Sequence, residues 1–294
     1  MKTKQWDILF QTVVVLVLTF FVVLCVYPFY YILIYSLSDP KVVVKANILL
    51  LPAGFTFSNY IQMLKLPGIF SAFIVSICRA VVGTVVTVFV NSMLAYALTK
   101  NQLPAKKILY RISVVSMYIN AGLIPWYVVM VKLGLKNNPL LYILPYTVVA
   151  FYLILVKTYI EQLPVALEES AFIDGAGFFT IFIKIVMPLC KPILAAVAVF
   201  SAVNQWNMWY DNLFLVRAKN LQTLQLTLLN YLKEAEAIAQ RAMAGNSLQG
   251  VQYYLSPLSI KMTLTMIVAI PIILVYPIMQ KYFLEGIMIG AVKG

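Results

Sequence analysis

The hydrophobic positions of this chain fall into six long runs that are separated by shorter polar segments. A helix that crosses the hydrocarbon core of a bilayer needs about 20 predominantly apolar residues. The runs lie at residues 8–36, 69–98, 110–131, 139–158, 190–215 and 259–281. They predict an all-α polytopic membrane protein with six transmembrane helices, organised as one domain over residues 1–294. The first run is too long for a signal peptide and lacks a cleavage site of small residues, so it is interpreted as a span.

The segment from Pro164 to Pro192 interrupts this apolar pattern between the fourth and fifth runs. Its charged residues are Glu168, Glu169, Asp174, Lys184 and Lys191. Each charge would cost roughly 2.5–3.5 kcal/mol at the centre of a bilayer. The segment is therefore predicted to be an aqueous loop, at residues 161–190.

The residue order inside this loop predicts a helix, a turn and a second helix. Pro164 suits the first turn of a helix, and the two glutamates that follow complement the positive end of its dipole. Gly175 and Gly177 permit a sharp turn. The apolar stripe of the second helix consists of Phe178, Ile181, Phe182 and Ile185. We expect such a unit to lie on the membrane surface, with one side able to enter a groove of a partner.

The basic residues suggest the orientation of the chain in the membrane. Lys100, Lys106, Lys107 and Arg111 cluster around one short connection, which the positive-inside rule places in the cytoplasm. The loop at 161–190, both termini and a tail at 282–294 are then cytoplasmic. Residues 216–258 form a large external loop, with a helix predicted near Lys233 to Ala244.

Composition narrows the chemistry that this chain can perform. Hydrophobic residues make up 63% of the sequence and charged residues 11%, and mean hydropathy is +0.91. Histidine, the usual general base and the commonest metal ligand, is absent, so neither a catalytic site nor a metal site is predicted. No phosphate-binding GxxxxGK[ST] motif occurs. Apart from the cluster at Lys100–Arg111, the basic residues behind the net charge of +12 are scattered among the loops, which favours membrane placement over nucleic-acid binding.

The loop also carries a family resemblance. Glu169-Ser170-Ala171, Asp174-Gly175-Ala176, Ile185 and Met187-Pro188 resemble the EAA loop of ABC importer permeases, which reads E-A-A-x-x-D-G-A, a spacer and I-x-L-P. Ser170 and Met187 depart from that pattern by small changes of volume. With six runs and the ending QKYFLEGIMIGAVKG, the chain is similar to the second permease subunit of maltose-type, carbohydrate-importing systems.

The resemblance implies partners and roles for particular residues. Such a permease pairs with a second, homologous permease in the bacterial inner membrane, and it receives solute from an external binding protein. Two ATPase subunits bind ATP and Mg²⁺ and perform the hydrolysis, so this chain would be neither an enzyme nor a cofactor-binding protein. ATPase coupling would involve Glu168, Glu169, Ser170, Ala171, Asp174, Gly175, Ala176, Ile185 and Pro188. Tail contacts with the ATPase would involve Gly290, Val292, Lys293 and Gly294.

The fifth run is unusually rich in aromatic and amide side chains. They include Asn204, Trp206, Asn207, Trp209 and Tyr210, followed by Asp211. Sugar rings stack on aromatic faces and amides bond hydroxyl groups, so these residues are candidates for a saccharide path. An aromatic belt at the outer interface explains the same residues equally well.

Arg79 is a charge within the second run, which makes it a candidate functional residue. Asp211 is its predicted partner, either in a structural ion pair or beside a substrate. If Arg79 faced the pore, an acidic oligosaccharide would be favoured.

Two alternative functions remain open at this point. The first is an ABC importer permease for a solute other than sugar. The second is a stand-alone secondary transporter or channel.

Overall fold

The computed structural model describes residues 2–43, 50–243 and 257–291 of the chain. Every regular element in these residues is helical, apart from an isolated bridge between Ser38 and Phe55. The predicted helical class is therefore confirmed for the described residues.

The chain divides into two compact units, Met1–Ile69 with Leu228–Ile270 and Phe70–Thr227 with Pro271–Gly294. The α-helices are α1 (Lys2–Ser36), α2 (Pro40–Val43), α3 (Ser58–Lys65), α4 (Ile69–Thr99), α5 (Lys106–Ser116), α6 (Leu123–Lys132), α7 (Ala150–Ile160), α8 (Ala166–Ile173), α9 (Phe178–Ile181), α10 (Met187–Leu189), α11 (Lys191–Asn207), α12 (Tyr210–Leu215), α13 (Leu224–Met243) and α14 (Pro257–Ala291). Short 3-10 turns cover Pro139–Tyr142, Leu144–Tyr146 and Lys219–Leu221, and a π turn, Phe182–Val186, joins α9 to α10.

Three of the apolar runs form uninterrupted helices that are long enough to cross a membrane. Trp6–Ser36, Ile69–Thr99 and Leu258–Val275 have mean hydropathies of 2.8, 2.3 and 2.2. Two further spans arise if bent pairs are counted, Pro139–Tyr146 with Ala150–Ile160 at 49° and Phe178–Leu189 with Lys191–Asn207 at 83°. The described residues thus contain three to five candidate spans by this measure, and the total of six stays a prediction.

The run at 110–131, predicted as one span, is divided between α5 and α6, and Met117–Gly122 between them is not α-helical. The side chain of Asn120 accepts a hydrogen bond of 2.9 Å from the Gly122 amide, which closes a local turn. Gly122 has φ +78°, and Pro125 has no amide proton to donate. These local preferences explain the break in the helix. Hydropathy does not detect them, so it predicted a continuous helix here.

The runs at 139–158 and 190–215 are also broken. In the first, the side chain of Asn91 donates to the Thr147 carbonyl at 2.9 Å and accepts from the Val149 amide at 3.1 Å. It thereby satisfies backbone groups that the interruption leaves unpaired. In the second, α11 ends at Asn207 and the chain is extended at Met208 before α12 begins.

A buried asparagine ends α1 in the first unit. Asn59 lies on α3, and its amide donates to the carbonyl groups of Ser36 and Ser38 at 2.8 and 2.9 Å. These are among the carbonyl groups that a helix C-terminus leaves without partners. The helix predicted near Lys233 lies within α13, which begins earlier, at Leu224, and belongs to the first unit from Leu228 onward. The predicted end of that helix, Ala244, lies outside the described residues.

A buried cluster of the second unit packs the predicted loop against α4, α7 and α11. It contains Ala171, Ile181, Phe182 and Val186 of the loop. Its other members are Ala95, Tyr96 and Leu98 of α4, Tyr152, Leu153, Val156 and Ile160 of α7, and Cys190, Leu194 and Val197 at the start of α11. One side of the loop is therefore part of the core.

Candidate functional site

Helix α8 of the loop has two chemically different faces. Ala171 is buried in the core cluster. On another face, Val165 just before the helix is 69% exposed, Ile173 at its end is 86% exposed, and Glu169 between them is exposed. These three residues follow one another at intervals of four, which places them on one side of a helix. We call Val165, Glu169 and Ile173 the exposed stripe.

The two adjacent glutamates of α8 have different environments. Glu168 is largely covered and accepts an ion-paired hydrogen bond from Lys100, just beyond the end of α4. Among the residues that the structure describes, Glu169 forms no ion pair. The two glutamates had the same expected role on sequence grounds. The pairing of Glu168 with Lys100 was not predicted, because no local pattern links residues so far apart in the chain.

The turn after α8 depends on Gly175. This residue has φ +81°, a conformation that side chains disfavour. The following amide, of Ala176, donates to the Ala171 carbonyl at 2.9 Å, and the Gly175 amide donates to Phe172 at 3.0 Å. These bonds give partners to carbonyl groups at the C-terminus of α8, as is common in helices that end at a glycine.

The other predicted coupling residues occupy several environments. Ser170 and Asp174 are exposed on and beside α8, as is Pro188 in α10. Ala176 and Ile185 are partly buried against the core cluster. The structure therefore brings all of them to one loop without placing all of them on one accessible surface.

We predict that Gly175→Val impairs the loop, whereas Gly177→Ala is tolerated. Neither glycine has another group within 4 Å of an added Cβ. The difference is therefore in the backbone, because Gly177 has an ordinary φ of −78°. A left-handed conformation costs an L-residue about 1–2 kcal/mol. Substrate uptake by cells, normalised to the amount of permease in the membrane, measures the effect. Equal uptake by the two variants would contradict this explanation.

A second site lies toward the other end of α4, where Arg79 and Asp211 form a buried ion pair. The two guanidinium nitrogens Nη2 and Nη1 donate to Oδ2 and Oδ1 of the carboxylate at 2.6 and 3.1 Å. Both side chains have 0% relative exposure. The predicted pairing of these residues is confirmed, and their burial supports the structural alternative over substrate contact.

Neighbouring side chains complete the environment of this ion pair. Arg79 Nε donates to Gln205 at 3.0 Å, and the hydroxyl of Tyr146 donates to Asp211 at 3.2 Å. The guanidinium carbon lies 4.8 Å from the ring centre of Tyr142 and 5.6 Å from that of Tyr146. Hydrogen bonds and aromatic faces offset the cost of burying both charges.

Gly83 provides the space for Gln205. A Cβ at position 83 would lie 2.7 Å from the amide nitrogen of Gln205. That amide nitrogen also donates to the Tyr142 carbonyl at 3.2 Å. Gln205 belongs to the amide-rich part of the fifth run, whereas Gly83, Tyr142 and Tyr146 were not singled out from the sequence.

No protein-family model matches the chain. The chain is similar to the polygalacturonan/rhamnogalacturonan transport system permease protein YtcP of Bacillus subtilis (strain 168), with 32% identity over 100% of both chains. It belongs to the family of carbohydrate ABC importer permeases.

Two further comparisons agree with this assignment. Protein LplC of Bacillus subtilis (strain 168) is 34% identical over 91% of the permease and 89% of its own length. A solved chain of a bacterial ABC transporter involved in the import of the acidic polysaccharide alginate has a TM-score of 0.82 and 31% identity. That match covers 94% of the permease and 97% of the solved chain. Both the fold and the family are therefore those of a membrane transport component.

In the permease, the buried ion pair is linked to the segment after α12. Asn212 follows Asp211 directly, and its side chain donates to the Leu221 carbonyl at 3.2 Å and accepts from the Thr223 amide at 3.3 Å. The side chain of Asn137 accepts from the Arg217 amide at 2.6 Å. These bonds hold the connection between α12 and α13 against the preceding helices.

The candidate saccharide residues of the permease divide by exposure. Asn204, Asn207 and Trp209 are exposed, and Trp209 is 42% exposed. Trp206 is buried against Phe73, at 6.1 Å between ring centres, and Tyr210 packs on Trp126 at 5.6 Å. Trp206 and Tyr210, like Arg79 and Asp211, are engaged by neighbouring side chains. The exposed Asn204, Asn207 and Trp209 are therefore the better candidates for ligand contact, although Asn207 also accepts a hydrogen bond from Gln225 at 3.3 Å.

The candidate tail residues lie at or beyond the end of the described chain. Gly290 is within α14. Val292, Lys293 and Gly294 lie outside the described residues, so their predicted contact with an ATPase stays a prediction.

Proposed function

We propose that this permease forms one half of a heterodimeric pore that imports an acidic oligosaccharide. A second, homologous permease supplies the other half, and an external solute-binding protein delivers the substrate. Two partner ATPases bind ATP and Mg²⁺ and supply the energy. The pore has six spans, with both termini and the loop at 161–190 in the cytoplasm of a bacterial cell.

The exposed stripe of α8 is the main support for a role of the loop in coupling to the ATPases. Val165 and Ile173 present exposed apolar surface on either side of an exposed carboxylate. Large exposed apolar side chains on an aqueous loop are typical of an interaction site. The opposite side of α8 is anchored through Ala171. A partner with two apolar pockets around a basic side chain would fit this surface, and a force on it would reach α4 and α7 through the core.

Two observations support an acidic substrate. The similar protein YtcP is a polygalacturonan/rhamnogalacturonan transport system permease. The similar solved chain belongs to a transporter involved in the import of the acidic polysaccharide alginate. In addition, Lys132, Lys136, Arg217 and Lys219 are exposed on two segments that Asn137 joins by hydrogen bonds, and residues 132–138 and 212–223 contain no acidic residue. Such a basic surface attracts anions.

This basic surface lies at the end of α4 that is remote from the loop. Val75, near the start of α4, packs against the cluster that includes Leu135 and Val216. The Lys100–Glu168 pair is beyond the other end of α4. With the loop in the cytoplasm, the basic surface is external. The basic surface, rather than Arg79, therefore supports an acidic substrate, because the charge of Arg79 is already neutralised by Asp211.

Copurification tests the proposed assembly, and ligand binding tests the substrate. A tagged permease should come out of membranes with a second permease and with ATP-binding subunits. Its external binding protein should bind trigalacturonate or alginate trisaccharide more tightly than maltotriose. Purification of the permease alone with transport intact would contradict the assembly. Preference for the neutral sugar would contradict the acidic substrate while leaving the assembly standing.

A further inference from the structure

The C-terminal end of α4 and the residue just beyond it contact the loop on both sides of its glycine turn. Lys100 pairs with Glu168 of α8. One helical turn earlier, the ring of Tyr96 stacks on Phe182, with ring centres 5.6 Å apart and an interplanar angle of 29°. The ammonium group of Lys100 lies 4.0 Å from the ring centre of Tyr96. We call Tyr96, Lys100, Glu168 and Phe182 the latch.

The latch joins parts of the loop that the glycine turn separates. Glu168 precedes the turn at Gly175, and Phe182 follows it. The turn is exposed, and its flanking helices are short, so their relative position depends on what each of them contacts. Because Tyr96 and Lys100 are four residues apart and touch each other, they hold both parts against a single helix.

The charges in the latch are shielded from water. The side chains of Lys100 and Glu168 are 16% and 21% exposed. A pair with this little exposure is screened less by salt than a pair on an open surface. The face of Tyr96 adds a second favourable contact for the same ammonium group. Removing one charge would therefore leave the other in an environment with few alternative partners.

We propose that Lys100 is a positioning residue for energy coupling, and that the latch makes α4 move together with the loop. This inference rests on the proposed function. The exposed stripe receives the movement of the ATPase, while Glu168 transfers it to Lys100 and α4. The adjacent glutamates thus have separate tasks, since Glu169 faces the partner and Glu168 faces the permease itself.

The latch reaches the buried ion pair through one continuous helix. Arg79 and Thr99 are both in α4, and 20 residues at about 1.5 Å each separate them by about 30 Å. A shift of α4 at the loop would therefore reach the helices that Arg79 and Gln205 hold together. Rigid elements of this kind can carry a displacement between distant sites.

A charge swap tests the latch in the assembled transporter. The permease, its partner permease, the ATPases and the external binding protein are reconstituted in proteoliposomes, with trigalacturonate as the probe. ATP hydrolysis and uptake are measured separately. Lys100→Glu should lower uptake per ATP hydrolysed about tenfold, because two carboxylates then face each other, and Lys100→Glu with Glu168→Lys should recover most of the loss. ATPase copurification should persist in both variants.

Two matched variants give the swap its specificity. Lys100→Glu with Glu234→Lys, which reverses an exposed charge on α13 outside the loop, has the same net charge as the swap and should not recover coupling. Lys107→Glu reverses an exposed charge on the first turn of α5 and should leave uptake per ATP unchanged. Normal coupling in Lys100→Glu, or equal recovery by both double variants, would overturn the latch. Absence of ATPase from the wild-type complex would instead refute the proposed function.

Discussion

Replacing Asp211 by asparagine is expected to destabilise the permease by about 3–5 kcal/mol, because Arg79 would remain charged and buried without its counter-ion. The carboxylate accepts two hydrogen bonds from the guanidinium group and one from Tyr146. The asparagine side chain is nearly the same size, so the loss is electrostatic. Thermal unfolding of the purified transporter, followed by tryptophan fluorescence, measures the change.

A double variant distinguishes the cost of an unpaired charge from a general intolerance of substitution. Arg79→Met with Asp211→Leu removes both charges and keeps apolar volume in the same space. Replacing a buried pair in this way is often neutral or stabilising. We expect the double variant to unfold at a higher temperature than Asp211→Asn alone. A single variant that unfolds at the wild-type temperature would contradict a structural role for the pair.

The second large effect is expected at the exposed stripe. Glu169→Lys should remove the ATPases from the purified complex and abolish ATP-driven uptake. Reversing a charge that pairs across an interface costs about 2–5 kcal/mol or more, which corresponds to a loss of affinity of at least about thirtyfold. Folding of the permease itself should be unaffected, because Glu169 has no ion pair among the residues that the structure describes.

Controls show whether that loss is specific to the loop. Glu234→Lys makes the same change of charge on α13, at an exposed position outside the loop, and should leave ATPase copurification intact. Glu169→Gln removes the charge without reversing it and should give an intermediate loss. Full retention of the ATPases by Glu169→Lys would show that the stripe is not the docking surface.

The loop shows how far sequence reasoning reached. The glycine turn and the two helical stretches around it could be placed from the sequence because their causes are local. Gly175 permits a positive φ, and apolar spacing marks the side of a helix. The separate roles of Glu168 and Glu169 could not be assigned in this way. They depend on Lys100, which lies 68 residues from Glu168.

The apolar runs show a similar limit. Hydropathy located helical, membrane-compatible segments, but it did not locate the break at Met117–Gly122 or the one after Asn207. A hydropathy window averages over about 19 residues, so one turn of irregular backbone leaves little trace in it. The breaks depend on individual groups. Examples are the side chain of Asn120, which accepts from a nearby amide, and the Asn91 amide, which donates to the backbone of another segment.

The sequence by itself determined that this chain is a helical membrane protein with a charged, structured loop of a recognisable family. Those properties follow from transfer free energies and local backbone preferences, which each short segment carries alone. The sequence also named Asp211 as the partner of Arg79. The tertiary structure decided that this pair is fully buried beside two tyrosines, and that Lys100, just beyond α4, pairs with Glu168 of the loop. The residues of the buried pair are separated by 132 positions. A charge in an apolar run therefore predicts a partner, but only packing determines whether the pair is enclosed by the protein or faces a pore.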